Sequence, residues 1–282
     1  MYRIIYTGLL LLFAFNTYAW NALGHQLVAQ VAYDNLTPEA KHMCDKYNSA
    51  LDSFSPSPNF VVAATWLDQI RANDIHWFDS LHYIDIPFSK DHSHLPSVQD
   101  VNALSGVKQA IAVLLSSKSS PADKGLSLRI LTHLVGDIHQ PLHTVTKVSK
   151  RLPKGDLGGN LFLLAKNPIG HNLHQYWDNG AGVLLGQSKE FQVRNKARQL
   201  EKQWSCKLAN TKKKPKQWVK DSHKIALNQV YSLAPYKVPG KRYQLNAQNI
   251  TQKQILFAGC RLASVLNHIA KHQKRTIKLG WC

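Results

Sequence analysis

The sequence predicts a mainly α-helical protein: one domain built as a multi-helix bundle, with at most one short β-hairpin. Apolar residues recur at the three- and four-residue spacing of amphipathic helices over most of the chain. Two helix starts are marked by a capping residue followed by proline, at Thr37-Pro38 and at Ser120-Pro121. Only residues 160–164 resemble a short strand, as half of a single hairpin. The sequence contains no repeat and no linker that would divide it.

The remaining elements follow in chain order. We expect residues 74–87 to be extended or irregular, and residues 144–159 to form a basic loop. A run of three lysines, residues 212–214, is expected in another loop. The predicted helices cover residues 21–35, 37–49, 60–72, 101–117, 120 to the residue before Pro141, 172–178, 189–203, 216–232 and 251–273.

Residues 1–19 have the pattern of a secretory signal peptide. Arg3 precedes an apolar run over residues 4–15, and small residues follow at Thr17 and Ala19. We expect cleavage after Ala19, which makes Trp20 the first residue of a mature domain over residues 20–282. The apolar run is too short for a membrane span. The sequence therefore predicts a secreted or periplasmic protein with no stable membrane anchor.

The chain is strongly basic and contains four cysteines. Its 35 Lys and Arg against 17 Asp and Glu give a net charge of +18. Such a charge favours an anionic partner such as nucleic acid, a phosphate ester or an acidic membrane surface, although solubility or a habit of the host proteome also accounts for it. In an exported protein the cysteines predict two disulfides. Their pairing stays open among three connectivities; Cys206 with Cys260 and Cys44 with Cys282 is one of them.

Residues 130–143 carry the strongest chemical signal in the chain. His133 and Asp137 are four residues apart, so on a helix they extend from one face. Pro141 ends the helix, and His143 follows in the turn, where it can bend back toward the same point. His174 and Asp178 repeat the spacing. Imidazole and carboxylate groups that converge in this way are typical ligands of zinc.

A single histidine near an apolar helix face is more often a hydrogen-bonded core residue than a ligand, and a single Asp is more often a cap or a surface charge. His139 lies two residues after Asp137 and is expected to point away from the site. The other histidines given this structural interpretation are His42, His76, His92, His94, His171, His223, His268 and His272.

The joint pattern resembles the zinc-dependent, single-strand-preferring type I nucleases with 3′-nucleotidase activity, the family of the fungal S-one and P-one nucleases and the plant bifunctional nucleases. The matching strings lie in order between residues 20 and 178. They are Trp20-Asn-Ala-Leu-Gly-His25, Trp66-Leu-Asp68-Gln-Ile-Arg71, His82-Tyr-Ile-Asp85, His133-Leu-Val-Gly-Asp137-Ile-His-Gln-Pro-Leu-His143, Gly158-Gly159-Asn160 and His174-Gln-Tyr-Trp-Asp178-Asn179. The last third of the chain carries no such motif.

The resemblance implies three zinc ions in each chain. One would be bound by Asp68, His82, His133 and Asp137. A second would be bound by the α-amine and carbonyl of Trp20, by His25, and by Asp137 as a bridge. The third would be bound by His143, His174 and Asp178. All donors are nitrogen or oxygen, and none is a thiolate, which is compatible with zinc.

The resemblance also implies roles in hydrolysis. Water activated between two zinc ions, next to Asp68 and Asp137, would attack phosphorus and leave 5′-phosphate products. Arg71 would bind a phosphate oxygen, with an effect on catalysis as well as on binding. Tyr83 would stack on a base, and Asp85 and Asn179 would hydrogen-bond its edge. The implied substrates are single-stranded DNA, RNA and 3′-nucleotides, and we expect a monomer.

Two alternatives remain open from the sequence. A trinuclear-zinc phospholipase C shares an N-terminal Trp and a similar ligand set, but that group ends its third site with Glu, where this chain has Asp178. A non-catalytic, His-rich binder of nucleic acid or metal predicts scattered histidines, whereas the pairs here fall at ligand spacing.

Overall fold

The structure, a computed structural model, describes residues 20–212 and 214–279. This part of the chain contains ten α-helices, several short 3₁₀ turns and one two-stranded sheet. The predicted fold class, a mainly helical bundle, is confirmed. The signal peptide predicted at residues 1–19 lies outside the described residues. The helices are α1 (Ala22–Asp34), α2 (Pro38–Ser49), α3 (Phe60–Ala63), α4 (Trp66–Ala72), α5 (Ala103–Leu115), α6 (Pro121–Asp137), α7 (Leu173–Asp178), α8 (Glu190–Gln203), α9 (Pro215–Asn228) and α10 (Lys241–Leu279).

The two predicted caps mark the true helix starts. The Thr37 side chain accepts from the amide of Ala40 and begins α2. Ser120 and Asp123 bond each other's backbone amides in a capping box at the start of α6. Because a cap binds amide groups that have no partner within the helix, it fixes where the helix begins.

The predicted helix over residues 60–72 is two helices. It is interrupted at Ala64 and Thr65, where the Thr65 hydroxyl bonds back to the carbonyl of Val62 at 2.9 Å. α10 begins at Lys241, ten residues before its predicted start at residue 251. These differences in length leave the order of the elements unchanged.

The predicted hairpin strand at residues 160–164 is wrong. That segment is a turn with one isolated bridge, from Leu163 to Asn172. The sheet instead pairs β1 (Pro87–Ser89) with β2 (Thr146–Val148), and the two strands are parallel. Each strand directly follows a segment with predicted site residues, so the pair brings these two segments together.

The main hydrophobic core surrounds α1, which packs against α10, α8, α3 and α6. A second apolar cluster lies under α7 and the loop before it, and includes Trp177 and Tyr231. Within the described residues, no helix combines the length and the apolar character needed to cross a bilayer.

One of the two suggested disulfides is present. Cys206 is bonded to Cys260 and joins the segment after α8 to α10. Cys44 is a buried free thiol. Its suggested partner, Cys282, lies outside the described residues.

Candidate metal centre and cleft

Five side chains from four elements converge at the C-terminal half of α6. α1 contributes His25, α4 contributes Asp68, the 3₁₀ turn Asp79–His82 contributes His82, and α6 contributes His133 and Asp137. Their ligand atoms form two groups of three, His25 with His133 and Asp137, and Asp68 with His82 and His133. The two Asp137 oxygens face different partners: Oδ1 lies 3.3 Å from His25 Nε2, and Oδ2 lies 3.3 Å from His82 Nδ1.

A third group consists of His143, His174 and Asp178. His143 lies on the 3₁₀ turn Pro141–Thr144, and the other two lie one helical turn apart on α7. His174 Nε2 is 3.4 Å from Asp178 Oδ2 and 3.1 Å from His143 Nε2. The sequence interpretation of both i, i+4 pairs is therefore correct in geometry: each pair shares a face and points into a group.

Backbone carbonyls fix the orientation of three of these rings. His133 Nδ1 lies 2.7 Å from the carbonyl of Ala64, His143 Nδ1 2.6 Å from that of His82, and His174 Nδ1 2.7 Å from that of Gly158. A carbonyl only accepts, so each Nδ1 carries the proton and each Nε2 presents a lone pair. In the third group two such lone pairs face each other, an arrangement that a cation between them would stabilise.

Several buried donor and acceptor atoms in the first two groups lack a hydrogen-bond partner among the described residues. They are both ring nitrogens of His25, both oxygens of Asp137, Asp68 Oδ1 and His82 Nε2. Buried polar atoms are normally paired, so this concentration of unpaired atoms indicates a ligand. The donors are imidazole nitrogen and carboxylate oxygen, the set that zinc binds.

The electrostatics of the three groups are compatible with a bound cation. Burial lowers the pKa of His133 to about 4 and raises the pKa of Asp68 to about 6. Burial likewise raises the pKa of Asp137 and of Asp178 well above the usual range and lowers that of His25 and His143 well below it. A bound metal cation would oppose this effect of burial, because it stabilises ionised carboxylates and binds neutral imidazoles.

Residues next to the groups hold them in place. The Gln140 side chain donates to Asp178 Oδ1 at 2.7 Å and accepts from the amide of Leu142. Trp20 is fully buried, and the following residue, Asn21, donates from its backbone amide to the carbonyl of Asp178 at 3.2 Å. The start of the described chain therefore lies beside the third group.

A cleft of about 300 Å³ opens beside the third group. It brings together three of the four residues predicted to bind substrate. In it, Arg71 Nε lies 3.4 Å from Asp79 Oδ1. Burial raises the pKa of Asp85 to about 7, and the charge of Asp156 adds to the effect. The cleft is lined by Arg71, Asp79, Tyr83, Asp85, Leu142, His143, Leu157, Gly158, Asn160 and His174.

The fourth predicted substrate residue, Asn179, is not among the residues that line the cleft. The side-chain nitrogen of Asn179 donates to the carbonyl of Ile169 at 2.8 Å, and its side-chain oxygen accepts from the side chain of Asn21 at 3.0 Å. Asn160 lines the cleft instead. The sequence signals for Asn160 and Gln140 are the strings that contain them, Gly158-Gly159-Asn160 and residues 133–143, and spacing alone gives neither residue a role.

His139 lies outside all three groups, as its sequence position indicated. It is buried, its Nδ1 is 2.7 Å from the carbonyl of Val135, and its Nε2 accepts from Arg261 at 2.7 Å. His139 therefore belongs to a polar network between α6 and α10.

Comparison with known proteins finds nucleases among the relatives of this chain. A sequence model of the S1/P1 nuclease family matches residues 20–271. Endonuclease 4 of Arabidopsis thaliana is 26% identical over 278 residues, 89% of each chain. Nuclease P1 of Penicillium citrinum is 28% identical over 170 residues, 56% of this chain and 57% of that protein. Nuclease S1 of Aspergillus oryzae is 28% identical over 168 residues, 57% and 54% of the two chains.

Proposed function

Since the chain belongs to the S1/P1 nuclease family, we propose that it is a zinc-dependent endonuclease that hydrolyses single-stranded DNA and RNA to 5′-phosphate products. We include 3′-nucleotidase activity in the proposal. The observation that carries it is the set of three buried imidazole–carboxylate groups, the third of which lies beside a cleft.

The residues fit three zinc ions. Asp68, His82, His133 and Asp137 would bind the first. The α-amine and carbonyl of Trp20, with His25 and Asp137, would bind the second. His143, His174 and Asp178 would bind the third. When bound, the ions would supply Lewis acidity, which lowers the pKa of water and offsets the negative charge that develops on the phosphate.

The protein's own contribution is positioning. The carbonyls of Ala64, His82 and Gly158 fix the tautomers of the three histidines, so no proton has to be lost from Nε2 before a metal binds. Gln140 orients the Asp178 carboxylate by donating a hydrogen bond to Oδ1. Arg71 would bind a non-bridging phosphate oxygen, and Asp79 orients the guanidinium toward the cleft.

Tyr83 and Asp85 form one side of the cleft and would receive a base. Stacking on a ring requires an unpaired base and discriminates little between bases, which would explain a preference for single strands. Asp85 would hydrogen-bond the base edge. Asn160, which lines the cleft and whose side-chain nitrogen donates to the carbonyl of Leu157, would be a further contact of the base edge through its oxygen; Asn179 does not line the cleft.

We further propose that the enzyme is exported and acts as a monomer. The predicted signal peptide supports export. The Cys206–Cys260 disulfide also supports it, because disulfides persist in oxidising compartments.

The test is a substrate panel with the mature protein. Single-stranded DNA, RNA, double-stranded DNA, a 3′-nucleotide and phosphatidylcholine are each incubated with and without chelator, and zinc per chain is measured. We expect three zinc ions, hydrolysis of the single strands and the 3′-nucleotide, and complete loss in chelator. Phosphatidylcholine hydrolysis without nuclease activity would overturn the proposal, as would full nuclease activity in metal-free protein.

A further inference from the structure

The net positive charge of the chain arises from residues 179–282. Residues 1–178 contain 14 Lys and Arg and 14 Asp and Glu, whereas residues 179–282 contain 21 and 3; the two parts carry 0 and +18. A general habit of the proteome, or a need for solubility alone, would raise the charge of both parts. The asymmetry instead indicates a surface with a specific anionic partner.

α9 presents part of this charge as an ordered row. Lys216, Lys220 and Lys224 recur every four residues and are all exposed. They lie opposite the buried face of the helix, which includes Trp218 and Ser222. None of the three lysines has a carboxylate partner in the part of the chain that the structure describes. Four residues of helix rise about 6 Å, a spacing comparable to that of successive phosphates in an extended strand.

α9 is hydrogen-bonded to the backbone next to two of the predicted metal ligands, Asp137 and His143. The Ser222 hydroxyl donates to the carbonyl of Ile138 at 2.7 Å, directly after α6. His223 Nδ1 lies 2.9 Å from the carbonyl of Thr144, the residue after His143. The row of lysines therefore has a fixed position relative to the third metal group.

The chain after the C-terminal end of α9 is hydrogen-bonded to the loop that borders the cleft. The turn that follows α9 contains Tyr231, whose hydroxyl donates to Asp156 at 2.9 Å. Asp156 accepts from the amide of Gly159, which lies between the cleft-lining residues Gly158 and Asn160. The exposed residues Lys150, Arg151 and Lys154 lie on the loop just before these cleft-lining residues. Basic side chains thus occur both beside the cleft and along α9.

We propose that these six residues form a basic track for the sugar–phosphate backbone of a single strand that extends out of the cleft. The track comprises Lys150, Arg151, Lys154, Lys216, Lys220 and Lys224. The inference rests on the proposed nuclease function, which it deepens: the enzyme binds long strands better than short ones. Lysine ammonium groups bind phosphates without reading sequence, so the track adds affinity and no base preference.

The test compares two triple variants of the mature, metal-loaded protein. In the track variant Lys216, Lys220 and Lys224 are changed to Glu. The control makes the same change in net charge at Lys46, Lys108 and Lys118, which are exposed in the neutral part of the chain. A third variant has Gln at Lys216, Lys220 and Lys224. If the Glu variant does not fold, the Gln variant replaces it, and we expect its binding and kcat/KM ratio to change in the same direction.

Two measurements are made with each protein. The first is kcat/KM for a strand of about 30 nucleotides, divided by kcat/KM for a dinucleotide. The second is the affinity for a phosphorothioate strand of the same length at about 50 to 200 mM salt, with the integrity of the strand checked afterwards. Three lost phosphate contacts reduce the slope of log affinity against log salt by about 2. We expect the kcat/KM ratio to fall tenfold or more in the track variant and to stay unchanged in the control.

Equal losses in both variants, or an unchanged slope in the track variant, would overturn the track. Loss of binding to anionic phosphatidylglycerol vesicles without loss of strand binding would also overturn it, in favour of a membrane surface. Failure of the proposed function has a different signature, since wild-type protein would then cleave neither strand nor dinucleotide while its binding slope could still be measured.

Discussion

The ring of His25 on α1 lies directly against Gly136 on α6. A β-carbon at Gly136 would be 3.0 Å from Cε1 of His25 and 2.8 Å from Nδ1, and the second distance is shorter than real β-carbons show. We expect Gly136→Ala to displace the ring, to destabilise the protein by about 1–3 kcal/mol and to lower its zinc content. Elemental analysis and thermal unfolding measure the two effects. Gly240→Ala is the control, because no atom lies within 4 Å of its added carbon. Full zinc content in the Gly136 variant would show that His25 is not a ligand.

Asp137 and Asp178 are expected to differ in importance. The two Asp137 oxygens face His25 and His82, members of different groups, whereas Asp178 belongs to one group. Asp137→Asn should therefore lose more zinc and more activity than Asp178→Asn. The measurement is zinc per chain in both purified variants, beside turnover of single-stranded DNA. Equal zinc loss in the two would contradict the bridging role.

Tyr83→Ala should keep its zinc and weaken binding of single-stranded substrate by about 1–3 kcal/mol, the usual contribution of one base stack. Tyr236→Ala is the matched control, since Tyr236 is 70% exposed and does not line the cleft. KM and zinc content are measured for both. Unfolding or zinc loss in the Tyr83 variant would make this residue a packing residue.

The raised pKa of Asp85 predicts that the free energy of unfolding depends on pH. This pKa rises from its ordinary value of 3.8 to about 7 in the fold, chiefly through burial. The stability from the neutral carboxyl is thus fully present below about pH 4 and is lost as the pH rises through about 7. Asp85→Asn should match wild type near pH 4 and exceed it near pH 8 by roughly 1–2 kcal/mol, less than the full shift implies because the side chain is partly exposed.

Denaturant unfolding at both pH values measures the difference in stability. The same variant should bind single strands less well. A variant that is less stable than wild type at pH 8 would contradict the assignment.

The α-amine of Trp20 is the most specific of the proposed ligands. Adding Gly-Ser before Trp20 turns the amine into an amide, a poor donor to zinc. Protein with the authentic start should bind three zinc ions and be active, whereas the extended form should bind one fewer and turn over very slowly. The two forms are compared in zinc content and in cleavage of single-stranded DNA. Identical results would remove Trp20 from the site, because an ordinary chain end tolerates such an addition.

Local patterns predict the helices and the paired His and Asp side chains because each depends on near neighbours. The caps at Thr37 and Ser120 and the i, i+4 pairs on α6 and α7 are fixed within one helical turn. The start of α10 was missed because residues 241–250 are mostly polar or exposed, which weakens the apolar period.

Features that depend on partners distant in the chain could not be predicted from the sequence. β1 and β2 pair across 59 residues, from Pro87 to Thr146, with only three residues each. Asn179 follows a predicted ligand in the chain, but its side chain turns to Asn21, 158 residues away. Asn160 enters the cleft through a loop with left-handed turns at Gly158 and Gly159, whose path no spacing rule describes.

The network at the end of α6 limits how far the enzyme can be shortened. Gln254 donates to the carbonyl of His139 at 2.9 Å, Arg261 to its ring, and Ser222 to the carbonyl of Ile138. All three donors come from the third of the chain that carries no recognisable motif. A minimal nuclease cut to the motif-bearing residues would leave these buried acceptors unpaired next to the candidate metal centre. Efforts to engineer a smaller enzyme should therefore remove surface loops and retain α9 and α10.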